Sequence, residues 1–206
     1  MDTPVDGERE LILRVATGLF AGLGYDTTSV EQIAEAAGVR PAAVYEHFTD
    51  KRRLYLAVME RAHRALAAVI EPRSDELREA PPERKAEALH RFVDGYLDLC
   101  AEHPEVPRLW AHRWMSDASD IVDLEPRSAQ PLTQYAVDGV ASVAKPADLD
   151  PLFITYTIIW CVQGFALSGV LDGTGQRRGV EDVRMTQRFR AHLHQLLDRA
   201  LELPAR

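Results

Sequence analysis

The sequence predicts an all-α fold, with a group of three short helices at the N-terminus and a longer helical region after it. Three observations predict it. Apolar residues recur at intervals of three and four along most of the 206 residues. Helix-starting Ser, Asp and Pro and helix-ending Gly and His-Pro fall between those runs. No alternating strand pattern of credible length, internal repeat or low-complexity tract interrupts them. A composition of 46% hydrophobic and 27% charged residues is sufficient for a buried core.

The elements follow in order. After a short polar leader, Leu11, Ile12, Val15, Ala16, Leu19, Phe20 and Leu23 share one helical face, and Gly24 ends the run. Ser29 then N-caps a short helix with Gln32 reaching back, and Ile33, Ala34 and Ala37 give that helix one apolar side. Gly38 supplies the left-handed residue that closes it, and Pro41 opens another helix carrying Val44, Tyr45 and Phe48. Two short helices joined by a three- or four-residue turn make a helix-turn-helix. This places one domain at residues 1–50 and a second at 51–206.

Asp50 caps a fourth helix, with Leu54, Tyr55, Val58, Ala62 and Ala65 turned back on the first three and Met59, His63, Leu66 and Ile70 on its other side. Glu71-Pro72 is expected to end it, with a loop to Pro82. A fifth helix over about 83–102 turns Leu89, Val93, Tyr96, Leu97 and Cys100 inward and stops at His103-Pro104. A sixth holds Val106, Leu109, Trp110, Arg113 and Trp114, before an acidic break from Asp117 to Glu125. Pro126 opens a seventh through Leu132, Tyr135, Val137 and Val140, which Pro131 kinks or restarts. Asp150 and Pro151 begin an uncharged run to Leu171, and a last helix over about 180–202 spaces Thr186, Phe189, Leu193, Leu196 and Ala200 as a bundle seam.

On the second short helix of the helix-turn-helix, Ala42 and Ala43 are small enough to approach base edges. Arg40, Tyr45, His47 and Lys51 surround them as phosphate donors. In order and spacing, Gly24-Tyr25, Thr27-Thr28-Ser29-Val30, Ile33-Ala34, Ala36-Ala37-Gly38-Val39, Val44-Tyr45, His47-Phe48, Lys51 and Leu54 resemble the N-terminal DNA-binding domain of the tetracycline-repressor (TetR-like) family. The resemblance covers about the first quarter of the chain. It implies a cytoplasmic, all-helical homodimer, more often a repressor, that binds palindromic operator DNA and is released by a small effector in its C-terminal domain. It assigns Tyr45, His47 and Lys51 to phosphates, with the amino end of the second helix at Thr28. Arg40 stands where the family often has a small hydroxyl residue, and Glu46 adds a carboxylate beside the DNA.

Charge tempers that picture. The net charge is -8, and residues 1–60 hold ten acidic against six basic side chains. A protein that coats nucleic acid indiscriminately is therefore excluded, and DNA binding must rest on the local cluster from Arg40 to Lys51-Arg52-Arg53. Cys100 and Cys161 lie far apart in helical patterns without metal-ligand spacing, so buried free thiols are expected. The acidic start has no basic head or apolar run, which predicts no secretory signal. The uncharged stretch from Pro151 is long enough for a membrane span, but Thr155, Thr157, Gln163 and Ser168 within it and aspartates on both flanks favour a buried helix.

Catalysis finds little support. No Gly-rich phosphate loop, nucleophile elbow or zinc helix signature accompanies the seven histidines, so neither enzyme nor cofactor is expected. The rival function is a small-molecule enzyme or sequestering binder on a helical scaffold. Trp110 and Trp114 share a helix face, and with Tyr96, Trp160, Gln163 and Phe165, joined by Met59, His63 and Arg113, they form a candidate apolar effector pocket. Those aromatics would serve equally as core. All three tryptophans lie beyond the DNA-binding domain, so emission is expected to report on the C-terminal domain alone. The last two helices are expected to form the dimer interface through Phe165, Ser168, Phe189, Leu193, Leu196 and Ala200.

Overall fold

The computed structural model describes residues 4–143 and 149–203, and the first three residues of the leader lie outside them. Among the described residues there are nine α-helices: α1 (Pro4–Leu23), α2 (Val30–Ala37), α3 (Pro41–His47), α4 (Lys51–Glu79), α5 (Lys85–Glu102), α6 (Glu105–Trp114), α7 (Gln130–Ala141), α8 (Pro151–Ser168) and α9 (Val183–Ala200). A two-residue antiparallel pair, β1 (Val170–Leu171) with β2 (Arg177–Arg178), lies between α8 and α9. The chain divides into two compact units, Met1–Arg64 with Glu105–Val122 and Ala65–Pro104 with Asp123–Arg206. The expected boundary at residue 50 falls inside the first unit. The start of α4 belongs there because it buries Leu54, Tyr55 and Val58 against the short helices.

The first unit is built on α1. Ile12, Leu13, Ala16 and Phe20 face inward, met by Val30, Ile33 and Ala34 of α2, by Ala43 and Val44 of α3, and by Phe48. Phe20, Tyr25 and Tyr55 form one ring cluster, with centroids 4.7 to 6.0 Å apart. Helix α6 packs along α1 and buries Val106, Leu109 and Trp110. Trp110 and Trp114 therefore share a unit with the helix-turn-helix, and only Trp160 lies in the other. This corrects the expectation that all three report on the C-terminal domain.

The second unit comprises the rest of α4 with α5, α7, α8 and α9 around a core that includes Leu89, Phe92, Val93, Leu97, Val140, Ile158, Val162, Phe165, Leu193 and Leu197. Helix α4 does not stop at Glu71-Pro72; it runs on to Glu79 with Pro72 inside it. Pro72 and Ala68, whose carbonyl loses its intrahelical donor there, are both exposed, while Ile70, Ser74 and Leu77 on the opposite side are buried. Burial on one face thus outweighs a missing hydrogen bond on the other. Gly139 lets α7 cross this extension closely, since a β-carbon there would stand 3.2 Å from that of Ser74. Before α7, residues Glu125–Ala129 form one π turn, and the α-helix restarts at Gln130 with Pro131 in its first turn.

Helices α5 and α9 are joined by reciprocal pairs. His90 on α5 meets Asp198 on α9 at 2.8 Å, and His194 on α9 meets Asp94 on α5 at 2.7 Å, with the two imidazoles stacked 3.9 Å apart. Arg190 adds a bond to Asp94 at 2.9 Å. Burial pushes the Asp94 carboxyl up, but His194 and Arg190 together hold it below its usual range.

Candidate nucleic-acid interface

The helix-turn-helix is locked by its own backbone. Ser29 Oγ accepts from Gln32 N at 3.1 Å while Gln32 Oε1 accepts from Ser29 N at 2.8 Å, closing a capping box at the start of α2. At its end Gly38 takes φ 69°, and the Val39 and Gly38 amides return to the carbonyls of Ala34 and Glu35. Pro41 then starts α3 without needing a donor.

This geometry sorts the side chains of α3. Ala43, Val44 and Phe48 face the core, and Arg40, Ala42, Tyr45 and Glu46 face outward. Tyr45 is 48% exposed although it is large and aromatic. Lys51 places its ammonium 4.2 Å from the Tyr25 ring centroid, a cation-π contact that steadies it beside α3. Arg40, Ala42, Tyr45 and Lys51 thus form one outward array.

Three residues assigned to DNA lie elsewhere. Ala43 is buried, because it is one residue past Ala42 and a helix turns its side chain about 100° away. Thr28 is 1% exposed, and its hydroxyl donates to the Gly24 carbonyl at 2.6 Å while its amide donates to that of Tyr25. His47 has a side chain only 9% exposed, paired with Glu8 of α1 at 2.9 Å. Each of the three braces the fold.

The candidate effector residues are divided between the units. Met59, His63, Trp110, Arg113 and Trp114 belong to the first; Tyr96, Trp160, Gln163 and Phe165 belong to the second. Arg113 is committed to structure, since its guanidinium donates to the carbonyls of Asp117, Ala118 and Ile121. Met59 is buried in the core, and Trp114 and Trp160 are half exposed. Trp110 Nε1 and His63 Nδ1 are buried without a hydrogen-bond partner among the described residues. In the second unit the structure brings together Tyr96 and Gln163, whose Nε2 donates to the tyrosine hydroxyl at 2.7 Å, while Gln163 Oε1 is buried with no partner among the described residues. Burial drives the Tyr96 hydroxyl well above its usual range and pushes the Cys100 thiol beside it up to about 12, so the cluster is uncharged.

Of the residues expected at a dimer interface, Phe165 and Leu193 are buried within the second unit, Phe165 against Phe189 with rings 4.3 Å apart. They cannot form a seam with a partner. Helix α8 is apolar nearly all round and its inner face took Phe165, while Leu193 lies on the buried face of the amphipathic α9. The exposed side of α8 carries Phe153, Trp160, Gly164 and Ser168, and α9 exposes Leu196, with Ala200 partly covered.

One contributor was absent from the sequence reading. Asp117, in the turn after α6, accepts from the amides of Tyr25 at 2.7 Å and Asp26 at 2.9 Å, one on each carboxylate oxygen, at the bend that leads into α2. More than ninety positions separate the partners, and no local spacing could have announced them.

A capped helix-turn-helix with an outward array of arginine, alanine, tyrosine and lysine defines a DNA-binding protein of the helix-turn-helix class. The sequence profile of bacterial regulatory proteins of the tetR family matches residues 12–58. The transcriptional activator FasR of Mycolicibacterium smegmatis is 40% identical over 58 residues, covering 28% of this chain and 26% of FasR. The transcriptional regulator RutR of Escherichia coli K12 is 24% identical over 165 residues, 79% of this chain and 75% of RutR. The fold is shared with a crystal structure of AibR in complex with isovaleryl coenzyme A and operator DNA, with a TM-score of 0.68 at 17% identity over 91% of this chain and 98% of that one. Residues 12–58 of this chain therefore carry a DNA-binding domain similar to that of tetR-family regulators.

Proposed function

We propose that the protein is a cytoplasmic, homodimeric repressor that holds a palindromic operator through α3 and releases it on binding a small uncharged effector. The observation that carries the DNA reading is the outward array on α3. Ala42 leaves room for base edges, Arg40 reaches toward them, and Tyr45 and Lys51 take phosphates. The effector reading rests on the Tyr96–Gln163 pair, because a buried acceptor without a partner among the described residues favours a ligand that donates to it. An ion would find no opposite charge in that cluster. The domain division we propose moves the boundary from residue 50 to the end of the first unit, with residues 1–64 and 105–122 as the DNA-reading part and the remainder as the regulatory part.

The test is selection from a random duplex library by the intact protein, followed by footprinting. A palindrome with half-sites about one helical turn apart is expected. Retention of DNA without sequence enrichment, alongside turnover of a small molecule, would establish the rival enzyme or binder. Arg40→Ala should relax preference at one position in each half-site.

A further inference from the structure

We infer that Asp117 is the positioning residue of the DNA-reading helices: its carboxylate fixes the bend before α2, and letting go of that bend disarms α3 without unfolding it. The inference rests on the DNA-binding function proposed above. It concerns a residue with no place in the outward array.

Five observations within the first unit converge on it. The two oxygens of one carboxylate accept from two consecutive amides, Tyr25 and Asp26, and such charge-assisted bonds to backbone N–H groups are among the stronger ones available. The grip is returned, since Asp26 Oδ2 accepts from the Ala118 amide at 3.4 Å. Gly24 accommodates it: its φ of 86° suits glycine, and a β-carbon there would lie 3.1 Å from Asp117 Oδ1 and 3.2 Å from His112 Nδ1. The gripped bend is the footing of α2, because Thr28 returns its hydroxyl to Gly24 and its amide to Tyr25, and Ser29 next to it is the N-cap.

The fifth observation is strain. Ser116 at φ 68° and Ala118 at φ 52° flank Asp117, and both adopt the left-handed conformation without being glycine. Backbone held in that region persists only where its surroundings over-determine it. Here Arg113 supplies the restraint by holding the carbonyls of Asp117, Ala118 and Ile121. The turn is thus held against its own backbone preference. Its segment begins directly after His103-Pro104 at the end of α5, the helix that carries Tyr96, and hands the chain back at Asp123.

The experiment uses the full chain and the duplex that the wild type enriches from a random library. Asp117→Asn keeps the shape but replaces one acceptor oxygen with a donor facing an N–H. Its affinity for that duplex should fall about tenfold, within the usual range of coupling between sites. Affinity for random-sequence DNA and the salt slope should be unchanged, and amide exchange should quicken at Tyr25 and Asp26. A general loss of structure would instead lower both affinities together. Wild-type affinity for the enriched duplex, with exchange at those two amides accelerated, overturns the inference. Should the variant not fold, the wild type still decides: by reciprocity the enriched duplex must slow exchange at Tyr25 and Asp26, and no change there overturns it equally. A wild type that enriches no duplex sinks the DNA-binding function itself, and the positioning role with it.

Discussion

At the scale of single residues, His47 and Lys51 show how one motif holds both structural and DNA-facing side chains. Both are basic and four positions apart, yet His47 is tied to Glu8 with its side chain nearly enclosed, and Lys51 stands over Tyr25 beside the outward array. Their substitutions should separate cleanly. Lys51→Ala is expected to weaken binding to any duplex and to lower the slope of log affinity against log salt by about one unit, as one released phosphate contact requires. His47→Ala should leave that slope unchanged and instead cost roughly 1–2 kcal/mol of stability, because it empties a packed site and strands Glu8. Binding isotherms at four salt concentrations and a urea titration of each variant check both. A His47→Ala slope that drops by a unit would return the imidazole to the phosphate backbone. The sequence could not make this distinction, since exposure depends on Glu8 of α1, thirty-nine residues earlier.

At the scale of elements, legibility followed the reach of the signal. Caps were legible: Ser29, Gly38, Pro41, Asp150 and Pro151 each do what their chemistry allows, because a cap is decided within four residues. The face of α3 was legible except at Ala43 and His47, both of which the fold takes for itself. Pro72 was not. A proline ends a helix only when nothing else holds the continuation, and the burial of Leu77 and Ser74 is invisible until α4 has neighbours. The same burial makes a prediction about α4. Replacing Pro72 with Ala would restore an amide donor to Ala68 and relieve the ring's contact with that carbonyl, at a site where both residues are exposed. Stability should rise by about 1–3 kcal/mol, up to the full penalty of an interior proline. Denaturant unfolding checks it. An unchanged or lowered midpoint would mean that the missing bond at Ala68 costs the fold nothing and that the proline's fixed backbone angle supports α4 as it stands.

At the scale of the whole molecule, the question is what covers the outer side of α8. The helix has no charged residue from end to end, and its inner face is satisfied by Ile158, Val162 and Phe165. Phe153 remains 61% exposed and Trp160 54% exposed, about three turns and one turn respectively from the bare backbone at Gly164. Aromatic surface next to a glycine on an uncharged helix suits close packing against a second copy of the same helix, and two-fold symmetry would bring each Trp160 near its mate. The division of the tryptophans makes this measurable. With Trp110 and Trp114 replaced by Phe in the first unit, Trp160 alone reports, from a position that is half exposed in one chain. On raising the concentration from nanomolar to micromolar its emission should shift to shorter wavelength, in step with a doubling of mass in sedimentation. Trp160→Glu should place a carboxylate at that contact, hold the chain monomeric, and abolish binding to a palindrome while sparing the weak binding of a single half-site. An emission maximum that stays fixed while the mass doubles would move the interface off this face of α8.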